Sequence, residues 1–585
     1  MMKKPFRLLI LLAGLFFVQV LQAREVRIHV AVTSDVHARL FSYDFINNRP
    51  ATNSLANVHS LMLVARARQS NGIIFLDNGD MLQGTPAAYY ANFVQESKQN
   101  LFSRVMNLMR YDAATIGNHD IEAGPAVYNR LREEFRFPYL GANVLDAETG
   151  QPYFEPYTVI RRQGIRIAVI GLTTPSVPNW LPPHLWEGLA FQDMVEAARY
   201  WVEHVAREEK PDAIIGLFHS GMGPSDPPAD AHPLENASGY IARNVPGFDV
   251  IFTGHDHRER AETITNVEGR DVLVIGPGHF AESLAVAELI FNRIERRVFV
   301  LEDKKAEILS TGRFPPNQAF FSAFEKDMTE IIAFCDQPVA RLNGALNARE
   351  ALFGSSPVVD IVHHVQLQLT GADVSFTAPL IFDQEIRPGQ LRVRDFFRLY
   401  EYENYLYTME LSGREILDYL EYSYGLWLNE EQGEADPLLG FRRDRQGQIA
   451  TGNQPRFRLQ SPFYSFDSAA GIRYHVDLSK PAGSRVTITG MEDGSDFSPV
   501  KTYSVAINSY RGSGGGGHLT EGAGISHSDL QKRITNTSEK DLRSAMIDYF
   551  REMEVINAEK RGNWEIIPAS RIEERMEKDL KILFD

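Results

Sequence analysis

The chain has 585 residues, more than one hydrophobic core usually supports, so at least two domains are expected. Its 44% hydrophobic and 23% charged residues are those of an ordinary globular protein, not a disordered or fibrous one. The net charge of −16 speaks against a nucleic-acid polymer as partner, because phosphate-backbone binding needs dense Lys and Arg, but leaves room for a small phosphorylated ligand met by bound cations.

Taken in chain order, the first element is a targeting segment. Lys3, Lys4 and Arg7 form a basic start, residues 8–21 are almost wholly apolar, and Ala23 precedes a polar Arg24. This is the layout of a cleavable secretory signal over residues 1–23. The alternative is an uncleaved anchor, for which the run is short. No Cys stands near the cleavage point to take a lipid. The mature chain is expected to be exported, periplasmic or secreted, without stable membrane insertion.

From residue 24 to about 310, short β-branched runs alternate with polar turns and helical patterns. The runs are 26–32, 73–76, 113–116, 165–170, 213–218, 250–252 and 272–275. Most are continuously apolar and read as buried strands. The first carries Arg27 and His29 between apolar residues, so one face of it is less buried. Helical patterns at 55–69 and 195–208 complete an α/β layer structure. A charged stretch then leads to Pro315-Pro316 and an amphipathic run at 318–336, which reads as a linker helix spanning 311–337. The only Cys, Cys335, lies in it, cannot form an internal disulfide, and reads as buried and structural. A second apolar–polar rhythm fills 338–555, with helices at 358–369 and 413–424. Residues 556–585 form a tail in which 571–583 reads as an exposed charged helix.

The informative residues sit just after the strands: Ser34-Asp35-Val36-His37, Asn78-Gly79-Asp80, Gly117-Asn118-His119-Asp120, Phe218-His219-Ser220 and Gly254-His255-Asp256-His257. In an open α/β sheet, turns at the carboxyl ends of neighbouring strands converge on one crevice. Imidazole and carboxylate together suit divalent first-row metals, and two such ions can activate a water while neutralising a phosphoryl oxygen.

This ordered set resembles the calcineurin-like metallophosphoesterase superfamily, over most of 26–300. The resemblance implies a layered β-sandwich flanked by helices. It also implies two divalent metals (Zn, Mn, Fe or Co), one held by Asp35, His37 and His257 and the other by Asn118, His219 and His255, with Asp80 between them. A hydroxide on the metals would be the nucleophile and His119 the catalytic histidine. Relatives among the 5′-nucleotidases carry an Asp three residues after that histidine to orient it; here the position is Glu122, whose longer reach leaves open whether it forms the dyad or is a plain loop carboxylate.

The second region resembles the 5′-nucleotidase C-terminal domain, an α+β nucleotide-binding unit, through Gly371-Ala372-Asp373, residues 391–400 followed by Glu403-Asn404, and Leu411-Ser412-Gly413 opening a helix. Three segments lean toward the 2′,3′-cyclic-nucleotide 2′-phosphodiesterase/3′-nucleotidase branch: Asp77-Asn78-Gly79-Asp80-Met81-Leu82-Gln83-Gly84, Ser375-Phe376-Thr377-Ala378-Pro379, and Asn508-Ser509-Tyr510-Arg511 before a glycine cluster. Family members hold the nucleobase between two aromatic rings. Tyr464 and Tyr510 fit, with Phe466 competing for the first place. The glycine run 514–517 lacks the Lys and Ser/Thr of a phosphate loop and reads as a turn or a close approach to ligand. The substrate expected is a small nucleotide. The alternatives are a 5′-nucleotidase that also splits nucleotide sugars, a nucleotide-binding protein without turnover, and a related hydrolase of a protein-borne sulfur ester.

Overall fold

The computed structural model describes residues 24–584 apart from 70, 96–98, 225, 228–232, 296, 430–432, 434–435, 451–454 and 570–571. The signal expected at 1–23 lies outside the described residues. Among the described residues no helix is long and apolar enough to cross a membrane.

The first domain is two six-stranded mixed sheets packed face to face. One runs in the order Val298–Ser310, Ser283–Glu295, Arg24–Thr33, Ile73–Asp77, Ala113–Thr115, Tyr139–Leu140. The other runs Glu259–Thr265, Asp271–Pro277, Val250–Thr253, Ala213–His219, Ile165–Thr173, Tyr157–Arg162. All seven apolar runs read from the sequence are strands here. Period-2 alternation divides their side chains: Ile28, Val30 and Val32 face Ile167, Ile215 and Phe252 inside the sandwich, while Ala31 turns to the helical layer. Arg27 is exposed and His29 half-buried, as the polar start of that strand required. Helices Leu55–Arg68 and Leu101–Met109 cover one outer face and Met194–Glu208 the other.

The charged stretch after residue 300 departs from expectation. It is the edge strand Val298–Ser310, paired antiparallel along Ser283–Glu295. Its Glu302, Lys305 and Glu307 face solvent, and charges on an edge strand block further pairing; that masked its strand character.

The helix Gln318–Cys335 follows, begun by the Asn317 side chain accepting from Ala319 N. It is more than a linker. Phe320, Phe324 and Phe334 join Phe41 and Phe45 of the first domain and Phe397 of the second in one continuous core. Buried Arg394 crosses the same boundary, donating to the Phe45 carbonyl at 2.9 Å and pairing with Asp336 at 2.7 Å. Cys335 is fully buried, and burial pushes its thiol up to about 12.

The second domain centres on a five-stranded sheet in the order Ser468–Ala470, Val374–Thr377, Thr502–Asn508, Tyr405–Ser412, Ile534–Asp541. Helices Pro357–Thr370 and Gly413–Trp427 pack on it; the latter starts with a capping box between Ser412 and Glu415. The last residues are not a free tail. Strand Trp564–Ile567 pairs parallel with Ile472–Asp477. Helix Glu573–Phe584 is docked rather than exposed: Leu583 and Asp579 are fully buried, and Asp579 Oδ2 accepts from Leu439 N at 2.8 Å. Met576, Leu580 and Leu583 fall on one helical face, a stripe concealed in the sequence by the charges between them.

Candidate active site

Loops at the carboxyl ends of five strands bring the expected residues together. The side chains of Asp35, His37 and His257 form one cluster and those of Asp80, His219 and His255 another, each with its ligand atoms within 4.8 Å of one another. Asn118 joins the second cluster: its Oδ1 lies 2.9 Å from His255 Nδ1 and 3.1 Å from His219 Nε2. His37 Nε2 and His257 Nε2 face each other at 3.0 Å. Asp35, His37, Asp80, His255 and His257 all have φ between 47° and 70°, the left-handed region that non-glycine residues seldom occupy. Such strain costs about 1–3 kcal/mol per residue and persists where function holds it.

The histidines are turned by partners on their outer nitrogens. His219 Nδ1 donates to the Asn78 carbonyl at 2.7 Å, His37 Nδ1 meets Gln83 Oε1 at 3.2 Å, and His255 Nε2 meets Glu235 Oε1 at 3.0 Å. In each case the inner nitrogen is left as a lone pair aimed at the cluster, which is how outer groups orient metal-ligating imidazoles. The donor set of imidazole, carboxylate and amide oxygen therefore fits divalent cations.

Asp120 organises the Asp80 turn. Its carboxylate accepts from the backbone N–H groups of Gly117, Asp80, Met81 and Leu82, at 2.8–3.1 Å. Burial and the neighbouring Asp80 push it up to about 6. Burial opposes charge on Asp80 too, but His219, His119 and His37 outweigh it and hold that carboxyl well below its usual value.

His119 is the second residue of the short helix Asn118–Glu122, with its backbone N–H donating to Asp80 Oδ1 at 2.9 Å. Its Nδ1 contacts the Glu122 carboxylate directly. Burial resists the charge on His119, yet Asp80 and Glu122 prevail and raise it to about 10. The Glu122 side chain is thus long enough to reach the His119 ring from three residues further along the chain.

His119 and Glu122 line a 270 Å³ cavity shared by both domains, with Gln83 beside them and Leu380, Tyr402, Glu403, Tyr464 and Tyr510 opposite. Tyr464 and Tyr510 are 37% and 38% exposed. Phe466 is not a rival for their place: it is 0% exposed and stacks on Trp427 with ring centres 5.2 Å apart. A strand-adjacent Phe was drawn into the core, where burying its ring contributes most. A third ring, Tyr402, stands edge-on to Tyr464 at 6.2 Å. Glu403 pairs with Arg543 at 2.8 Å, and burial lifts its carboxyl to about 7. Sequence reasoning gave no role to Gln83, Asp120, Glu235, Tyr402 or Glu403. Gln83, Asp120 and Glu403 lie inside the motifs quoted; Glu235 and Tyr402 reach the site through tertiary packing. A larger cavity of 490 Å³, lined by Asp249, Arg270, Asp271 and Lys304, contains none of the histidines.

Residues 28–259 match the model of the calcineurin-like phosphoesterases, and residues 336–521 that of the 5′-nucleotidase C-terminal domain. The chain is 26% identical over 94% of its length to the Bacillus subtilis trifunctional nucleotide phosphoesterase protein YfkN, of which the match spans 39%. It is also 26% identical to the 2′,3′-cyclic-nucleotide 2′-phosphodiesterase/3′-nucleotidase of Yersinia enterocolitica, over 90% of this chain and 86% of that one. The crystal structure of a 5′-nucleotidase precursor from Thermus thermophilus has the same fold, at a TM-score of 0.61 and 22% identity, over 93% of this chain and 100% of that one. The chain thus joins a calcineurin-like phosphoesterase domain to a 5′-nucleotidase C-terminal domain, belongs to the family built from that pair, and is a hydrolase of phosphoesters.

Proposed function

We propose that this protein is an exported two-metal phosphoesterase acting on nucleotides, a 2′,3′-cyclic-nucleotide 2′-phosphodiesterase with 3′-nucleotidase activity. The observation that carries it is the shared cavity, in which the His119–Glu122 pair faces Tyr464 and Tyr510 across 270 Å³. Export rests on the basic-then-apolar N-terminal sequence.

Asp35, His37 and His257 would hold one divalent cation, Asn118, His219 and His255 the other, and Asp80 both. The bound pair supplies Lewis-acid charge neutralisation and water activation, chemistry that Zn, Mn, Fe or Co can each provide. This chain's own residues do the rest. Glu122 accepts from His119 Nδ1, which leaves Nε2 as the proton donor toward the leaving oxygen. Tyr464 and Tyr510 stack on the base, a contact that tolerates any nucleobase because each has a π-face. Gln83 and Glu235 hold His37 and His255 in the orientation that keeps their lone pairs inward.

The test is kinetic: 2′,3′-cyclic AMP, 3′-AMP and 5′-AMP compared side by side on metal-replete protein. The highest kcat/KM is expected on the cyclic and 3′ substrates. A clear preference for 5′-AMP would move the assignment to the 5′-nucleotidase alternative. Metal analysis of protein purified without chelator identifies the ions.

A further inference from the structure

Tyr464 and Tyr510 stand on separate loops. Tyr464 lies in the short turn Phe463–Ser465, and Tyr510 in the short helix Ser509–Gly512 that follows the Thr502–Asn508 strand. One buried cation ties these loops together. Arg511 is 2% exposed. Its Nη2 donates to the Tyr464 carbonyl at 2.8 Å and its Nη1 to the Gly515 carbonyl at 2.7 Å. Nη2 also lies 2.8 Å from Oδ2 of Asp467, itself 1% exposed. Fully buried His518 spans the same two loops, its ring nitrogens each 3.0 Å from the Ser465 and Gly516 carbonyl oxygens.

The glycine run belongs to this arrangement. A Cβ on Gly515 would lie 2.6 Å from both the ring and the backbone carbonyl oxygen of Tyr510, and one on Gly516, whose φ is 73°, would collide with the Arg511 guanidinium. The chain is glycine here because it wraps one tyrosine ring and one arginine head group at close range.

We infer that Arg511 is a positioning residue for the base-stacking pair: by bonding the Tyr464 backbone on one side and the Gly515 backbone on the other, it sets the gap between the Tyr464 and Tyr510 rings. Arginine suits the task because its planar fork reaches two carbonyls at once while Asp467 meets its charge. A lysine keeps the charge and loses the fork. The inference rests on the nucleotide reading above and deepens it: base affinity depends on a residue whose own bonds go to protein groups.

The experiment uses the full chain loaded with divalent metal, as wild type, Arg511→Lys and Gly515→Ala. Phosphate release is followed on the mononucleotide that wild type turns over best and on the matching ribose phosphate without a base. Wild type is expected to have the lower KM for the nucleotide. In Arg511→Lys the nucleotide KM is expected to rise about tenfold, the scale of one ring's stacking, with kcat and the ribose phosphate KM little changed. Gly515→Ala, at a position outside the left-handed region, is expected to act likewise by pushing the Tyr510 ring and backbone carbonyl away, and carries the test if the lysine variant does not fold. A nucleotide KM unchanged in a folded variant overturns the inference, as does an equal loss on both substrates. A wild type that does not favour the nucleotide over its ribose phosphate overturns the nucleotide reading itself.

Discussion

The metal-ligand cluster beside His119 and the aromatic pair across the cavity that His119 lines are built in opposite ways. Five of the seven ligand candidates sit on left-handed backbone in the turns that follow strands, so the cluster is assembled from local features of successive strand-to-loop turns. Tyr464 and Tyr510 sit on unstrained loops, and their separation is set at long range by Arg511 and His518. The first site concentrates strain and charge where chemistry needs a fixed array; the second adjusts a gap through hydrogen bonds to backbone. If the proposed roles hold, reaction class and substrate preference should be separable by mutation.

The largest effect is expected at the shared carboxylate. Asp80→Asn, or chelator treatment of wild type, should lower kcat by about a thousandfold or more, the scale of several kcal/mol of charge stabilisation. Divalent metal should restore the chelated wild type, and nucleotide binding measured by calorimetry should persist through the aromatic pair. If binding vanished with the metals, the two regions would not be separable.

Next comes the histidine dyad. His119→Ala should reduce kcat by about 10²–10⁴-fold. Glu122→Gln, which keeps the contact but removes the charge, should cost about tenfold and narrow the alkaline side of the pH–rate profile, because the Glu122 carboxylate helps hold His119 protonated. An unchanged profile would make Glu122 a loop residue.

The aromatic pair sharpens the comparison through a contrast only two residues apart. Tyr464→Ala and Tyr510→Ala should each raise nucleotide KM about 5–150-fold with the melting temperature nearly unchanged. Phe466→Ala should do the reverse, destabilising the fold by about 3–5 kcal/mol with KM little altered in the protein that folds. Chemical denaturation and steady-state kinetics on the three variants decide it.

The smallest effect lies at the docked C-terminal helix. Burial raises Asp579 from 3.8 to about 7, against the Leu439 and Leu438 backbone N–H groups and the charges of Lys578 and Arg575, which lower it. The folded state therefore holds that proton more tightly than the unfolded chain. Its stabilising contribution is complete below about 3.8 and is lost as pH rises through about 7. Melting temperature should fall by a few degrees between mildly acidic and mildly alkaline pH, and Asp579→Asn should flatten that slope.

The sequence by itself determined the first domain and the identity of its reactive residues. Its seven apolar runs are short and β-branched, as buried strands are, and five of them lead directly into turns rich in His, Asp or Asn, so the carboxyl-end crevice was specified locally. Glu122 was legible as a candidate, while its contact with His119 depended on how the short helix presents the two side chains. Tertiary structure alone decided the rest. The edge strand Val298–Ser310 and the helix Glu573–Phe584 carry too many charges for their pattern to reveal what they pack against. Tyr464 and Phe466 have the same local credentials, and only the position of Trp427 sends one ring to the cavity and the other to the core. Asp120, Glu235 and Arg511 act by bonding groups on other loops that folding brings near. Metal-ligand candidates announce themselves by residue type at the end of a strand; the residues that aim them, and those that tie the two tyrosine loops together, are specified by contacts that only the folded chain creates.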